Sequence, residues 1–216
     1  MKRVAALVAL GLVVVGVASA ARGDPQKQLI PADQARAKAM LLRKADFGPG
    51  VKASKQSEDD FDFYCKALDE SDLVLTGEAD SPNFAAATAG RYLAVSSAGQ
   101  VYQTAGQSAE SWRRGTSSAG LKCAELGFRK LARQLDAIFI YFQKVPFPSL
   151  APQTIAYQVK LIKDRVALVF DVIWLRDGRA QSGCFFAGAP SAYPREGEVR
   201  LAKIVARRTA RAMRTG

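Results

Sequence analysis

The side chains of this sequence that can do chemistry are carboxylates, cysteines and a spaced row of cations. Histidine is absent from all 216 residues. That absence removes Ser-His-Asp and Cys-His nucleophilic catalysis, every histidine metal site including ordinary catalytic zinc, and histidine-based pH sensing. Acid–base work falls to carboxylates, lysine or tyrosine. Asp171 stands inside the apolar run Leu168-Val169-Phe170-Asp171-Val172-Ile173-Trp174, and Glu78 inside the less apolar Thr76-Gly77-Glu78-Ala79. Asp171 reads first as half of a structural ion pair, with Arg176 or Arg179 of the same hairpin as partner, and second as a ligand contact. Two carboxylates at the right separation make a glycosidase, but nothing in the spacing brings Glu78 to Asp171. No S-x-x-K motif, glycine-rich phosphate loop or metal-ligand spacing is present. The chain is therefore expected to be no enzyme and to hold no metal and no cofactor. Phe147, between Pro146 and Pro148 on a connection expected to be exposed, is either loop packing or the wall of a cleft. Glu78, Asp171, Arg179 and Phe147 are the candidates for a ligand cleft.

The cations form a second candidate. Arg200, Lys203, Arg207, Arg211 and Arg214 recur at spacings of three and four, which gathers them within about one quarter of a helical wheel. Leu201, Ala202, Val205, Ala206, Ala212 and Met213 cover the opposite side. The row is either a surface for anionic lipid or polymer, or a solvated outer face with cations favoured near a helix C-terminus. Its apolar side is mostly Ala and Val, suited to packing on a sheet, whereas membrane insertion wants bulky Trp, Phe or Leu.

The first 20 residues fix the compartment. Lys2 and Arg3, an uncharged apolar run from Val4 to Val17, and Ala18-Ser19-Ala20 form an export signal with its cleavage site. The run is shorter than the roughly 20 residues a spanning helix needs, so a retained anchor is the alternative to cleavage. No cysteine follows the signal to accept a lipid. The chain divides into a signal peptide at 1–20, a polar lead at 21–29 and one domain at 30–214, secreted or periplasmic and soluble after cleavage. Losing Lys2 and Arg3 takes the formal charge from +11 to +9. An exported basic chain meets anionic lipid, cell-wall polymer or acidic polysaccharide rather than nucleic acid, unless the charge serves solubility alone.

In an oxidising compartment two of the three cysteines, Cys65, Cys123 and Cys184, should pair. Of three possible pairings the expected one is Cys65–Cys123, tying an early strand to a central helix and stabilising the fold by roughly 4 kcal/mol in the chain-entropy model. Cys184, beside Phe185 and Phe186, is then a buried inert thiol.

The elements that must position these residues follow from periodicity. A helix is predicted from Pro31 to Ala45, stopped by Gly48-Pro49-Gly50. A strand is predicted at Phe61, Phe63 and Cys65. Another runs from Leu73 to Ala79 with Leu73, Leu75 and Gly77 on one face, and a third from Tyr92 to Thr104 with a bulge at Gly99. Helices follow at Gln107 to Arg114 and Ser118 to Leu135, the second with Leu121, Ala124, Phe128, Leu131 and Leu135 inward. Four apolar strands then form a meander, from Ala137 to Val145, Thr154 to Ile162, Val166 to Leu175 and Ala180 to Ala187. Turns at Asp164-Arg165 and Asp177-Gly178 join the last three. A helix from Glu196 to Met213 closes the chain. The fold class is α+β, a twisted antiparallel sheet with helices packed on it.

This order of segments resembles the extracytoplasmic sensor-type domains of actinobacteria, among them the extracellular domain of a mycobacterial serine/threonine kinase and related exported lipoproteins. The residues that carry the resemblance are Leu41-Leu42-Arg43-Lys44-Ala45-Asp46, Phe63-Tyr64-Cys65, Thr76-Gly77-Glu78-Ala79-Asp80-Ser81 and Val101-Tyr102-Gln103-Thr104. To these are added Ala109 and Trp112, Leu121-Lys122-Cys123, Asp171 to Arg179 and the basic final helix. The resemblance implies a cleft for a ligand and supports the Cys65–Cys123 pairing. With three cysteines and no kinase, this chain departs from the kinase pattern, and no catalytic residues carry over. The function expected is a non-catalytic sensor-like domain holding a small or polymeric envelope ligand in a cleft. The alternative is a peripheral envelope protein that binds anionic lipid or polymer through its basic helix, and a carboxylate hydrolase stands behind both.

Overall fold

The computed structural model describes residues 23–56, 64–88, 91–189 and 195–214. The export signal at 1–20, Phe61 and Phe63 of an expected strand, and the loop at 190–194 lie outside the described residues.

Among the described residues nine strands form one sheet. They are β1 (Gln26–Lys27), β2 (Lys52–Ser54), β3 (Val74–Asp80), β4 (Asn83–Thr88), β5 (Arg91–Tyr102), β6 (Ile138–Lys144), β7 (Gln153–Lys163), β8 (Val166–Asp177) and β9 (Ala180–Gly188). The order is β1-β3-β5-β9-β8-β7-β6, and β4 pairs with β5 and with β2. All pairings are antiparallel but β1 with β3. The helices are α1 (Pro31–Met40), α2 (Ala105–Thr116), α3 (Ser118–Gln134) and α4 (Arg195–Arg214).

The last third folds as its alternation requires. Asp164 and Arg165 take positive φ of 49° and 64°, the left-handed pair that a tight hairpin between right-twisted strands needs. Gly178 does the same at 58° in the next turn. Side chains then sort by parity. Val95, Ile173, Leu175, Cys184 and Phe186 face Leu201, Ala202 and Val205 of α4. Ala94, Val159, Leu161, Phe170 and Ala187 face Phe128 and Ala132 of α3 on the other side. α1 shares the α4 side, where Ala37 and Met40 meet Val101, Ala180 and Ala212.

Several expectations are corrected. The first helix stops at Met40 rather than Ala45, because Leu41 turns extended (ψ 153°) and carries Leu41 and Leu42 into the core. The Leu42 N–H then donates to Ser97 Oγ at 2.8 Å, and a single 3-10 turn covers Lys44–Asp46. Gly99 marks no bulge. A Cβ there would lie 2.9 Å from the Ala37 carbonyl oxygen, so its role is the close approach of α1. The register shift falls instead between Leu75 and Gly77. Leu75 therefore joins Leu73 and Tyr102, while Gly77 lies under the backbone of Asp33, 2.3 Å from where its Cβ would be. Cys65 is not in a strand. It precedes the 3-10 turn Lys66–Leu68. Along α3 the fully buried residues are Gly120, Cys123, Gly127, Leu131 and Ala132, so the inner face is rotated from the expected one, with Leu121, Ala124, Phe128 and Leu135 half-buried at its flank.

Candidate functional site

The four cleft candidates fall in three places. Glu78 pairs with Lys27 of β1 at 2.6 Å and faces Gln100 of β5. Arg179, at the β8–β9 turn, donates through Nη2 to both oxygens of Asp33 at 2.9 and 3.1 Å and through Nη1 to the carbonyls of Tyr102 and Gln103. Asp171 and Phe147 meet through Arg195, the first residue of α4. Its Nη1 lies 3.7 Å from Asp171 Oδ1, its guanidinium carbon lies 4.8 Å from the Phe147 ring centroid, and it donates to the Pro146 carbonyl. Phe147 is half-buried against the core with Val145 and Leu150 rather than standing free on an exposed connection.

Neither arginine expected to pair with Asp171 does so. Asp171 points toward α4, whereas Arg176, five residues on, points to the opposite face. There it donates to Ser108 Oγ, Gln153 Oε1 and the Ala105 carbonyl. Asp171 instead accepts from Gln158 Nε2 at 3.0 Å, and Gln158 accepts from the Tyr141 hydroxyl at 2.7 Å. Glu198, one turn into α4, touches the same carboxyl and accepts from Arg195 at 2.9 Å. Burial pushes the Glu198 carboxyl up to about 7, and the Asp171 charge adds to this against Arg195. Burial raises Asp171 too, against the Gln158 bond and the Arg195 charge. Sequence reasoning missed Glu198 and Arg195, whose signal is a charged residue on the apolar, sheet-facing side of an amphipathic helix.

Glu78 and Asp171 do not form an acid pair. Strands β3 and β8 are three interstrand spacings apart, about 14 Å, and the two side chains leave opposite faces of the sheet. That exceeds the roughly 6.5–9.5 Å of an inverting glycosidase.

A buried centre that the sequence did not suggest lies on the α2 side. Glu70 accepts from Tyr102 OH at 2.9 Å and Ser111 Oγ at 2.6 Å, and the two hydroxyls lie 2.8 Å apart. Burial raises the Glu70 carboxyl, and these bonds and the Arg114 charge pull the other way. Arg114 clamps Asp72 at 2.6 and 2.8 Å and Glu110 at 2.8 Å. Beside it runs the disulfide Cys65–Cys123, with Cα atoms 6.0 Å apart. Cys184 is free and buried, and burial pushes its thiol up. The whole arrangement fastens the segment after Cys65 onto α2 and α3. Ser111, 6 % exposed, presents no accessible nucleophile.

On α4, Arg200, Lys203, Arg207, Arg211 and Arg214 are all exposed. Arg208, on the flank of that row, turns inward to Asp46 at 2.5 and 2.8 Å and to the Leu41 carbonyl at 2.7 Å. Arg200 donates to the Asp46 carbonyl at 2.9 Å. These bonds strap residues 41–47 to the helix. Next to them Lys44, Phe47, Pro49, Val51 and Lys52 line a shallow open depression. Among the described residues no group of acids and cysteines is arranged to hold a metal ion, and no helix is long and apolar enough to cross a membrane.

In class the chain is an α+β domain, an open and mostly antiparallel nine-strand sheet with helices on both faces. No family model matches it, and no curated protein matches it. Among solved structures it is similar to the extracellular domain of PknH from Mycobacterium tuberculosis, with a TM-score of 0.42 and 9% sequence identity, over 84% of this chain and 96% of that chain. That domain is among those whose segment order the sequence resembles.

Proposed function

We propose that this chain is an exported, non-catalytic binding domain whose partner is an anionic component of the cell envelope, lipid or cell-wall polymer, held through the outer face of α4. The observation that carries the reading is the row of exposed cations from Arg200 to Arg214. At 1.5 Å per residue the row is about 21 Å long. Each cation near an anionic surface contributes about 1 kcal/mol, so five together give useful affinity without a pocket. The side chains first suspected of lining a cleft have internal partners: Glu78 has Lys27, Arg179 has Asp33, and Asp171 has Gln158 and Arg195.

The test is equilibrium binding of the secreted chain to vesicles containing phosphatidylglycerol and, separately, to a soluble polyphosphate or teichoic-type polymer. Binding should weaken steeply between 50 and 500 mM salt, conditions that shorten the screening length by about threefold. Arg207→Glu with Arg211→Glu should abolish it. Binding that survives both salt and charge reversal overturns the reading.

A second reading keeps a small-molecule cleft, and one observation favours it. Asp171 and Phe147 converge on Arg195, beside Glu198. A thermal-shift screen with glycans and peptidoglycan fragments should then show a stabilisation that Arg195→Ala removes. A flat screen sinks this alternative.

A further inference from the structure

Resting on the anionic-envelope reading, we infer that the partner is the phospholipid surface, and that the depression beside α4 seats a phospholipid headgroup. The exposed row on α4 supplies charge. Leu201, Ala202 and Val205 are fully buried, so its apolar side is spent on the sheet and cannot enter a bilayer. The neighbouring loop has what that row lacks. Lys44 and Lys52 are exposed in the lining of the depression, together with exposed Pro49 and half-buried Phe47 and Val51. A Cβ built on Gly48 or Gly50 meets nothing within 4 Å, so the loop is open there.

The seat is also held in place. Phe47 packs on Phe84 with ring centroids 4.6 Å apart, β2 pairs with β4 through Lys52 and Ala85, and Arg200 and Arg208 bind Asp46. Arg200 is thus a cation of the α4 row and a neighbour of the depression. Positive charge beside apolar side chains complements a phosphodiester joined to glycerol and its first methylenes. A wholly polar polyanion has nothing to place on Phe47, Pro49 and Val51.

The full chain is titrated with vesicles of phosphatidylglycerol and phosphatidylcholine in a 3:7 ratio, and with soluble polyphosphate. Lys44→Gln with Lys52→Gln should weaken vesicle binding about 30-fold and polyphosphate binding less than threefold. Pro49→Asp should weaken only the vesicle binding. Circular dichroism checks that each variant is folded. In parallel, the amide resonances of Gly48 and Gly50 are followed by NMR with dihexanoyl phosphatidylglycerol and with glycerol phosphate. Saturating shifts with the lipid alone support the seat, and equal shifts with both overturn it. A native chain that binds polymer but not vesicles overturns this inference and leaves the parent reading standing. If it binds neither, both fall. Vesicle binding unchanged in the lysine double variant also overturns the seat, while charge reversal on α4 still tests the parent reading.

Discussion

Asp33→Ala removes the acceptor that joins α1 to strand β3 and to the β8–β9 turn. Asp33 is 0 % exposed. Its carboxylate accepts from Thr76 Oγ1 on β3 at 2.6 Å, from Arg36 at 2.5 Å, and from Arg179 at 2.9 and 3.1 Å. Breaking a buried pair by deleting one member costs about 3–5 kcal/mol, because the survivor is left uncompensated. Here the survivors reach water, since the Arg179 and Arg36 side chains keep 30% and 22% of their exposure. Arg179 also retains two backbone carbonyls, and Thr76 retains Val101 O at 3.2 Å. Discounting for that screening leaves about 2–3 kcal/mol. The sign of the pH dependence follows from the carboxyl. Burial raises it, but the Thr76 and Arg36 bonds and the Arg179 charge outweigh burial and hold it below the ordinary carboxylate range. Its contribution is therefore full above the unfolded value, about 3.9, and is lost as pH falls through the folded one. Urea unfolding of the two proteins from pH 7 to pH 3 measures both effects. The gap should be largest at neutral pH and narrow toward pH 3. A cost below about 0.5 kcal/mol, or a gap that does not change with pH, refutes the reasoning.

Glu198 should behave in the opposite sense. Its carboxyl is pushed up to about 7 by burial, so the folded state holds a proton that the unfolded chain releases near pH 4.3. Stability is then lost as pH rises from about 4.5 to 7. Glu198→Gln should flatten that slope and gain on the order of 2 kcal/mol relative to the native chain at pH 8, read by unfolding at pH 5 and pH 8. Equal slopes in the two proteins count against it. For the disulfide, whose sequence separation is 58 residues, Cys65→Ser with Cys123→Ser should cost about 4 kcal/mol in the chain-entropy model. Reductant should then leave the variant's denaturation midpoint unmoved while lowering that of the native chain, and a shift in neither rejects the bridge's contribution.

The parts of this fold that sequence reading resolved are those where one face dominates. Tyr157, Val159 and Leu161 at period two lie buried on one side of β7, and Val166 to Gly188 folds as the alternation and turn residues require. Reading failed where tertiary contact overrules local pattern. Residues 41–45 continue a helical pattern, but Leu41 and Leu42 gain more in the core than in another helical turn. The alanine-rich stretch at 83–88 has weak strand preference and becomes β4 because β5 offers it a paired edge. Glu78 and Asp171 were visible as unusual carboxylates, yet their partners lie on Lys27 and on α4, at sequence distances that no local pattern reports. Parity alone excludes Arg176 as the partner of Asp171, since an odd offset along a strand turns the two side chains to opposite faces.

The cation row on α4 invites the plain explanation that basic residues sit well near a helix C-terminus. That effect fades within the last turn, and it accounts for Arg211 and Arg214, which lie there. It does not account for Arg200 and Lys203. They stand in the second and third turns of a helix beginning at Arg195, where Glu196 already serves the positive end of the dipole. Arg200 and Arg208 are the arginines the fold uses, both bound to Asp46, so exposed Lys203 and Arg207, which lie short of the last turn, are the part of the row that neither the dipole nor that strap explains. Five cations that leave the same side of one helix also repel one another, and water and salt reduce that cost without removing it. An anionic surface turns the repulsion into attraction. The middle of the row, Lys203 and Arg207, is therefore its most diagnostic part. Lys203→Gln with Arg207→Gln should weaken binding to phosphatidylglycerol vesicles about 30-fold while moving the unfolding free energy by less than about 0.5 kcal/mol. A stability loss with unchanged binding would assign the two residues to the fold instead.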